Sequence, residues 1–256
     1  MTKVSHIVLL AAVLSLLSCN AYSQKKKVRT WTCNAEKSFK HDVSSYTQGL
    51  FFYKGQLYET AGQYGESSLR KVDLATGKVM ERINFPKKYF IEGSCVYKNR
   101  IYILSWRENT CFVYDADSFE KIGETRYEGE GWGITTDGRS LMMSDGTSTI
   151  RFRDPETFAE QKSISVTLNG KKVNYINELE YIRGEIWANV YTSDLILRID
   201  PQSGKVSSVV NCTGLLPREL YRRDTDVLNG IAYDEKSGSI YLTGKNWPRL
   251  YKITLK

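Results

Sequence analysis

A pair of residues recurs five times in this chain, each time leading into a short apolar run: Gln48-Gly49, Glu92-Gly93, Trp132-Gly133, Asn177-Glu178 and Asn229-Gly230. The pairs stand 44, 40, 45 and 52 residues apart, the period of a β-propeller blade. The innermost strands of a propeller surround one central channel. Residues that lead into those strands therefore meet at one mouth, which here would gather a carboxylate, carboxamides and an indole.

The rest of each repeat reads strand by strand. Second strands are Gln56 to Glu59, Arg100 to Leu104, Ser140 to Met143, Glu185 to Asn189 and Ser239 to Thr243. Each follows a polar turn such as Lys54-Gly55 or Arg183-Gly184, the chemistry of a hairpin between β-rich runs. Third strands end at Asp73, Asp115, Asp154 and Asp200, each with Ser or Thr three residues on. That spacing suits a turn closed by side-chain-to-backbone bonds. The fifth unit stops at its third strand, Leu250 to Leu255, while Val28 to Cys33 has no hairpin partner of its own. Pairing the two covers an open edge. The expected fold is an all-β five-bladed propeller, its ring closed by an N-terminal strand that completes the last blade.

Ahead of the repeats, Lys3 and the apolar run Ile7 to Leu17 have the form of an export signal, too short for a permanent membrane anchor. Two processing readings stand. Leu16-Leu17-Ser18-Cys19 resembles a bacterial lipoprotein signal with a lipid anchor at Cys19, and Ala21-Tyr22-Ser23 offers an ordinary cleavage site before Gln24. Either way the protein is expected to be exported: periplasmic and membrane-anchored, or secreted. Residues 1–23 are then signal, 24–27 a basic spacer and 28–256 the propeller. The net charge of +7 is dispersed, which argues against nucleic acid as a partner.

An oxidising compartment permits disulfides among Cys33, Cys95, Cys111 and Cys212, in any of three pairings. Of the two histidines, His6 and His41, the first falls in the signal. A multi-histidine zinc site is excluded, and acid–base chemistry falls to carboxylates, Lys or Tyr.

Five residues beyond the aligned centre of each second strand stand Gly62, Trp106, Gly146, Tyr191 and Lys245. These lie beside the recurring pairs, because first and second strands are antiparallel. Two rings of residues are thus expected at one mouth: Gln48, Glu92, Trp132, Asn177 and Asn229 inside, with Trp106, Tyr191 and Lys245 outside. Aromatics at strand ends also pack between blades, and Asn there also caps turns. A carboxylate, an ammonium and three large aromatics together argue for a site, since buried charges are costly unless paired or used.

Several motifs, in order, resemble the plant-type (bacterial and plant) glutaminyl cyclases. They are Tyr46-Thr47-Gln48-Gly49-Leu50, Tyr58-Glu59-Thr60-Ala61-Gly62-Gln63-Tyr64-Gly65, Phe90-Ile91-Glu92-Gly93, Gly131-Trp132-Gly133-Ile134, Asn177-Glu178-Leu179-Glu180 and Asn229-Gly230-Ile231-Ala232. The resemblance runs from about residue 28 to the end. It implies a five-bladed propeller that converts the N-terminal Gln of peptides and exported proteins to pyroglutamate with release of ammonia. By motif, it also implies Glu92 as the catalytic carboxylate and Gln48, Phe90, Trp106, Trp132, Asn177, Tyr191 and Lys245 as substrate-binding residues. Tyr191 stands where many members carry Trp.

No cofactor is expected for catalysis, and the channel leaves room for a structural metal ion. Glu92 is the expected proton shuttle, with Asn177 and the Trp132 indole N–H as donors to the tetrahedral oxygen. Glu59 is a candidate second carboxylate or brace for Lys245. Two other classes compete: a non-catalytic cell-surface propeller binding peptide or glycan, and a lactonase-type propeller with a metal held by Glu92, Asn177 and Asn229.

Overall fold

The computed structural model describes residues 28–256; the expected signal segment, Cys19 and the Lys25 to Lys27 run lie outside them. Apart from one 3-10 turn at Arg218–Leu220, every regular element among the described residues is a β-strand. The long β1 (Arg29–Lys40) comes first. Four-stranded antiparallel meanders follow: β2 (Thr47–Tyr53), β3 (Gln56–Ala61), β4 (Ser68–Val72) and β5 (Val79–Asn84), then β6 (Ile91–Tyr97), β7 (Arg100–Ser105), β8 (Thr110–Asp115) and β9 (Lys121–Arg126). The third is β10 (Ile134–Thr136), β11 (Leu141–Ser144), β12 (Thr149–Arg153) and β13 (Glu160–Ser165). After a small hairpin, β14 (Thr167–Leu168) and β15 (Lys171–Lys172), come β16 (Ile176–Ile182), β17 (Glu185–Val190), β18 (Leu195–Ile199) and β19 (Val206–Asn211). The last meander, β20 (Leu228–Asp234), β21 (Ser239–Gly244) and β22 (Arg249–Leu255), has three strands of its own.

Its fourth strand is β1, which runs antiparallel to β22 from Cys33 opposite Leu255 to Lys40 opposite Arg249. The expected partner segment, Val28 to Cys33, is corrected here. From that stretch only Cys33 lies opposite β22 itself, and Thr32 exchanges backbone hydrogen bonds with Lys256 just past its end. Arg29 to Thr32 instead lie parallel to Ser208 to Asn211 on β19. At twelve residues β1 outreaches β22, and its overhang pairs with the edge of the neighbouring sheet. The fourth and fifth meanders thereby become one eight-stranded sheet.

The core is divided into five apolar clusters, one between each pair of neighbouring meanders. Strand alternation produces that division. On β7, Ile101 and Ile103 face the first meander while Tyr102 and Leu104 face the third. Strands buried on both faces need apolar residues at successive positions, which is why the second strands read as continuous hydrophobic runs. The turns after the third strands close as their composition predicts: Asp73, Asp115, Asp154 and Asp200 each accept backbone N–H bonds from residues two or three further on. Cys33, Cys95, Cys111 and Cys212 are buried free thiols, with no bridge among them.

The recurring pairs mark where the first strands touch. β2, β6, β10, β16 and β20 each pack against the first strands of both neighbouring meanders. A Cβ added to Gly49 would lie 2.5 Å from the Ser94 nitrogen, and one on Gly93 would lie 2.7 Å from the Trp132 carbonyl. One on Gly133 would collide with the Asn177 carbonyl. The Gly93 N–H donates to the Trp132 carbonyl across this seam at 2.7 Å. Glu178 occupies the fourth glycine's place, and its carboxyl accepts from the backbone N–H of Ile231 (2.9 Å) and of Leu50 (3.4 Å). Register shifts at the pairs in β2, β6, β16 and β20 turn these residues out of the ladder, as bulges do beside functional sites.

Gly133→Ala is expected to cost about 1–3 kcal/mol by overpacking this seam, read as a lowered urea midpoint. Gly123→Ala on the outer strand β9, where an added methyl meets nothing within 4 Å, should stay within about 0.5 kcal/mol of the parent. Equal midpoints for the two would show that the seam is not sterically limited.

Candidate active site

Where the lead-ins converge, a cavity of about 240 Å³ is lined by Tyr46, Gln48, Gln63, Phe90, Glu92, Trp106, Trp132, Asn177, Tyr191 and Lys245. The eight site residues that the family resemblance implies all face it; Tyr46 and Gln63 are additions. A larger opening of about 930 Å³ lies among the strand turns at Lys54, Lys98, Asp137 and Lys236. Exposed turn residues such as Lys54, Lys98 and Lys236 rim it, and volume alone does not make a site. The smaller cavity concentrates the chemistry.

Its walls are aromatic. Phe90 meets Trp106 edge-on at 5.6 Å, and Trp132 meets Tyr191 at 5.6 Å. Two positions of the outer column are glycines because these rings rest on them. A Cβ on Gly146 would lie 2.6 Å from the Trp132 indole, and one on Gly62 would strike the Phe90 ring. Gly146 also has φ of 78°, a conformation that suits glycine.

Glu92 is 6 % exposed and Lys245 4 % exposed. Among the described residues, no group donates a hydrogen bond to the Glu92 carboxyl and no carboxylate forms a close ion pair with Lys245. Burial pushes the Glu92 carboxyl well above the usual carboxylate range; Lys245 opposes that shift, and Glu130 and Glu108 reinforce it. Burial likewise lowers the Lys245 ammonium, against the pull of Glu92 and Asp226. The Lys245 Nζ stands over the rings of Tyr46 (4.6 Å) and Tyr191 (5.0 Å), a cation–π seat that compensates part of its lost hydration. Tyr46 is held in turn by its hydroxyl, which donates to Asp226 at 2.8 Å. Asn177 Oδ1 is buried without a partner.

Three expectations are corrected. The Trp132 indole N–H is not free for an oxyanion, because it donates to Glu130 Oε2 at 2.9 Å. Asn229 does not line the cavity; its Nδ2 donates to the Thr47 carbonyl (2.9 Å) and Gln48 Oε1 (3.3 Å) and so braces Gln48 from behind. Glu59 neither reaches Lys245 nor faces the cavity. Its Oε1 lies 2.9 Å from His41 Nε2 and accepts from the hydroxyls of Ser45 (2.6 Å) and Thr47 (2.7 Å). Among the described residues no group of three or more His, Cys, Asp or Glu is placed to hold a metal ion.

The family model described as "Glutamine cyclotransferase" matches residues 8–255. The chain belongs to the glutamine cyclotransferase family. A glutaminyl-peptide cyclotransferase of Arabidopsis thaliana is 43 % identical over 223 residues, covering 85 % of this chain and 69 % of that protein. The crystal structure of Myxococcus xanthus glutaminyl cyclase superposes with a TM-score of 0.84 at 32 % identity, over 90 % of this chain and 99 % of the other. In this member of the family the cavity is the place where a buried carboxyl, a buried ammonium and an aromatic slot coincide.

The Glu59–His41 pair behind the cavity makes stability depend on pH. Burial alone would raise Glu59, but His41, Arg70 and Ser45 outweigh it and hold the carboxyl at about 2. Burial alone would lower His41, but Glu59, the Trp247 carbonyl and Asp42 keep it raised above 6.5. A depressed carboxylate stabilises above its unfolded value of 4.5 and loses that contribution as pH falls toward 2. A raised imidazole contributes fully below 6.5 and loses its share as pH rises through its folded value. Thermal melts should therefore show the pair's contribution greatest between pH 4.5 and 6.5. Glu59→Gln should remove that maximum and cost about 3–5 kcal/mol there, as is general when one partner of a buried pair is lost.

Proposed function

We propose that the chain is a glutaminyl-peptide cyclotransferase, which closes the N-terminal Gln of a peptide to pyroglutamate and releases ammonia. The observation that carries this reading is Glu92: buried, without a hydrogen-bond donor among the described residues, and facing a slot of Trp106, Trp132, Tyr191 and Phe90. Family membership and the two named relatives support the same activity.

In the reaction the α-amine nitrogen bonds to the side-chain amide carbon and the C–N bond to the leaving nitrogen breaks. The amine must attack uncharged, although its reference pKa is about 7.7–8.0. An apolar slot that also holds the Lys245 ammonium disfavours a second cation, so the neutral amine is favoured. Glu92 takes the proton that the amine loses on attack and hands it to the departing nitrogen, which leaves as ammonia. A carboxyl raised by burial is suited to both steps, because it is basic enough to accept and acidic enough to donate near neutral pH. With the Trp132 N–H engaged by Glu130, the donors for the tetrahedral oxygen are Asn177 Nδ2 and the Lys245 ammonium. Asn177 Oδ1, buried and unpaired, is an acceptor for an amine N–H. Gln48, held by Asn229, binds the substrate backbone, and the aromatic walls favour the curled conformer that brings amine and amide together.

The five meanders are best read as blades of a propeller closed by β1; the contacts among the first strands and the five intervening clusters support this. Exported peptides and proteins with N-terminal Gln are the proposed substrates, a reading that rests on the signal-like first 23 residues.

Glu92→Gln should lower pyroglutamate formation from a Gln-initiated dipeptide by at least about 100-fold while leaving the melting temperature near that of the parent. Lys245→Ala should be impaired less, since Lys245 does not carry the proton and Asn177 Nδ2 remains as a donor to the tetrahedral oxygen. The test is ammonia release; an active Glu92→Gln protein would remove Glu92 from the mechanism, and no activity in the parent would overturn the reading altogether.

A further inference from the structure

Behind the aromatic slot, outside the cavity lining, stands a carboxylate that neither the repeat nor the motifs single out. Glu130 Oε2 accepts the indole N–H of Trp106 at 2.8 Å and that of Trp132 at 2.9 Å. Its other oxygen, Oε1, accepts from Arg107 Nε at 3.0 Å, and the Arg107 guanidinium lies over the Trp106 ring, 3.7 Å from its centroid. The two tryptophans come from different meanders: Trp106 follows β7, and Trp132 leads into β10. A bond from each to the same oxygen atom ties their separation to the length of two hydrogen bonds. The indoles form part of the slot wall, so the slot's width depends on Glu130.

We propose that Glu130 is a positioning residue for the cyclisation, clamping the Trp106 and Trp132 indoles through one carboxylate oxygen so that the slot holds the substrate Gln in its curled form. This rests on the function proposed above. The geometry is specific. An ionised carboxylate is acceptor-only and offers lone pairs enough for both indoles and the guanidinium, whereas each indole has a single N–H to give. Burial alone would raise the Glu130 carboxyl, but the bonds from Trp132, Trp106 and Arg107 hold it below the usual range, so it stays ionised. Its charge also acts on Glu92, as do those of Lys245 and Glu108, while Glu92 in turn helps to raise the neutral hydroxyls of Tyr46, Tyr191 and Tyr127.

The experiment is steady-state kinetics on a Gln-initiated dipeptide combined with ¹H–¹⁵N spectra of the indole groups. Glu130→Ala should lose about 100-fold in kcat/KM, the scale of a misplacement of about 1 Å in a reacting geometry, and both the Trp106 and Trp132 N–H resonances should move. Glu130→Gln keeps an acceptor oxygen and should recover most of that loss. By removing a negative charge near Glu92, it should also shift the acid limb of the pH–rate profile to lower pH. Glu130→Asp keeps the charge but is one methylene too short to reach both indoles; it should be impaired with at least one resonance displaced, which serves if the alanine protein does not fold. Parent-like kinetics in Glu130→Asp or Glu130→Ala, or a Glu130→Gln protein as impaired as Glu130→Ala, would overturn the clamp. A parent protein that makes no pyroglutamate would instead overturn the functional reading. Unmoved indole resonances in Glu130→Ala would overturn the clamp whatever the activity.

Discussion

The molecule depends on how closely its first strands approach one another. Gly49, Gly93 and Gly133 have no side chain because the neighbouring backbone occupies the space a Cβ would take. That approach is tight enough for a backbone hydrogen bond to cross from Gly93 to the Trp132 carbonyl. The residue before each glycine sits on a bulge in most of the meanders and is turned out of the ladder. Steric need at one position thus creates chemical opportunity at the position before it. Gln48, Glu92, Trp132 and Asn177 reach one cavity because the backbones beside them have no room to separate.

Within that cavity electrostatics are governed by the loss of water. Glu92 and Lys245 are both buried, and burial moves each toward its neutral form while their mutual attraction works the other way. The surroundings grade this competition. Tyr46 and Tyr191 give the ammonium aromatic faces in place of water, whereas among the described residues the carboxyl receives no donor that would fix it in the charged state. Glu59 shows the opposite solution with the same functional group. Two hydroxyls and a histidine surround it, and it is held fully ionised. One carboxyl is left able to exchange a proton, and the other is committed to holding β3 to the end of β1.

Much of this was legible in the residues. The five-fold period, the second strands and the Asp-initiated turns are local patterns, set by side-chain alternation and turn chemistry, and the two columns of strand-end residues led to seven of the cavity's ten lining positions, with Phe90 added by the family resemblance. What escaped was tertiary. Tyr46 and Gln63 sit next to recurring motifs but off their columns. Glu130 lies in an irregular lead-in, and its role exists only because two indoles from different meanders turn toward it. Asn229 and Glu59 were misjudged for the converse reason: their type and position fit a site, but partners distant in sequence, Thr47 and His41, had already engaged them. The pairing of β1 was half visible, since an unpartnered strand calls for a partner, but nothing local reveals that it is long enough to need two.

That double attachment governs the order in which the molecule can be built. Of the described strands β1 is the first to be made, yet its hydrogen-bonding partners, Val206–Asn211 and Arg249–Leu255, are among the last. Until they arrive, the strand's backbone groups have no native mate, and contacts of such sequence separation form slowly. An unpaired strand waiting through synthesis invites pairing with another chain. Glu36, Lys37 and Lys40 in its second half supply charge that discourages such association while the strand waits.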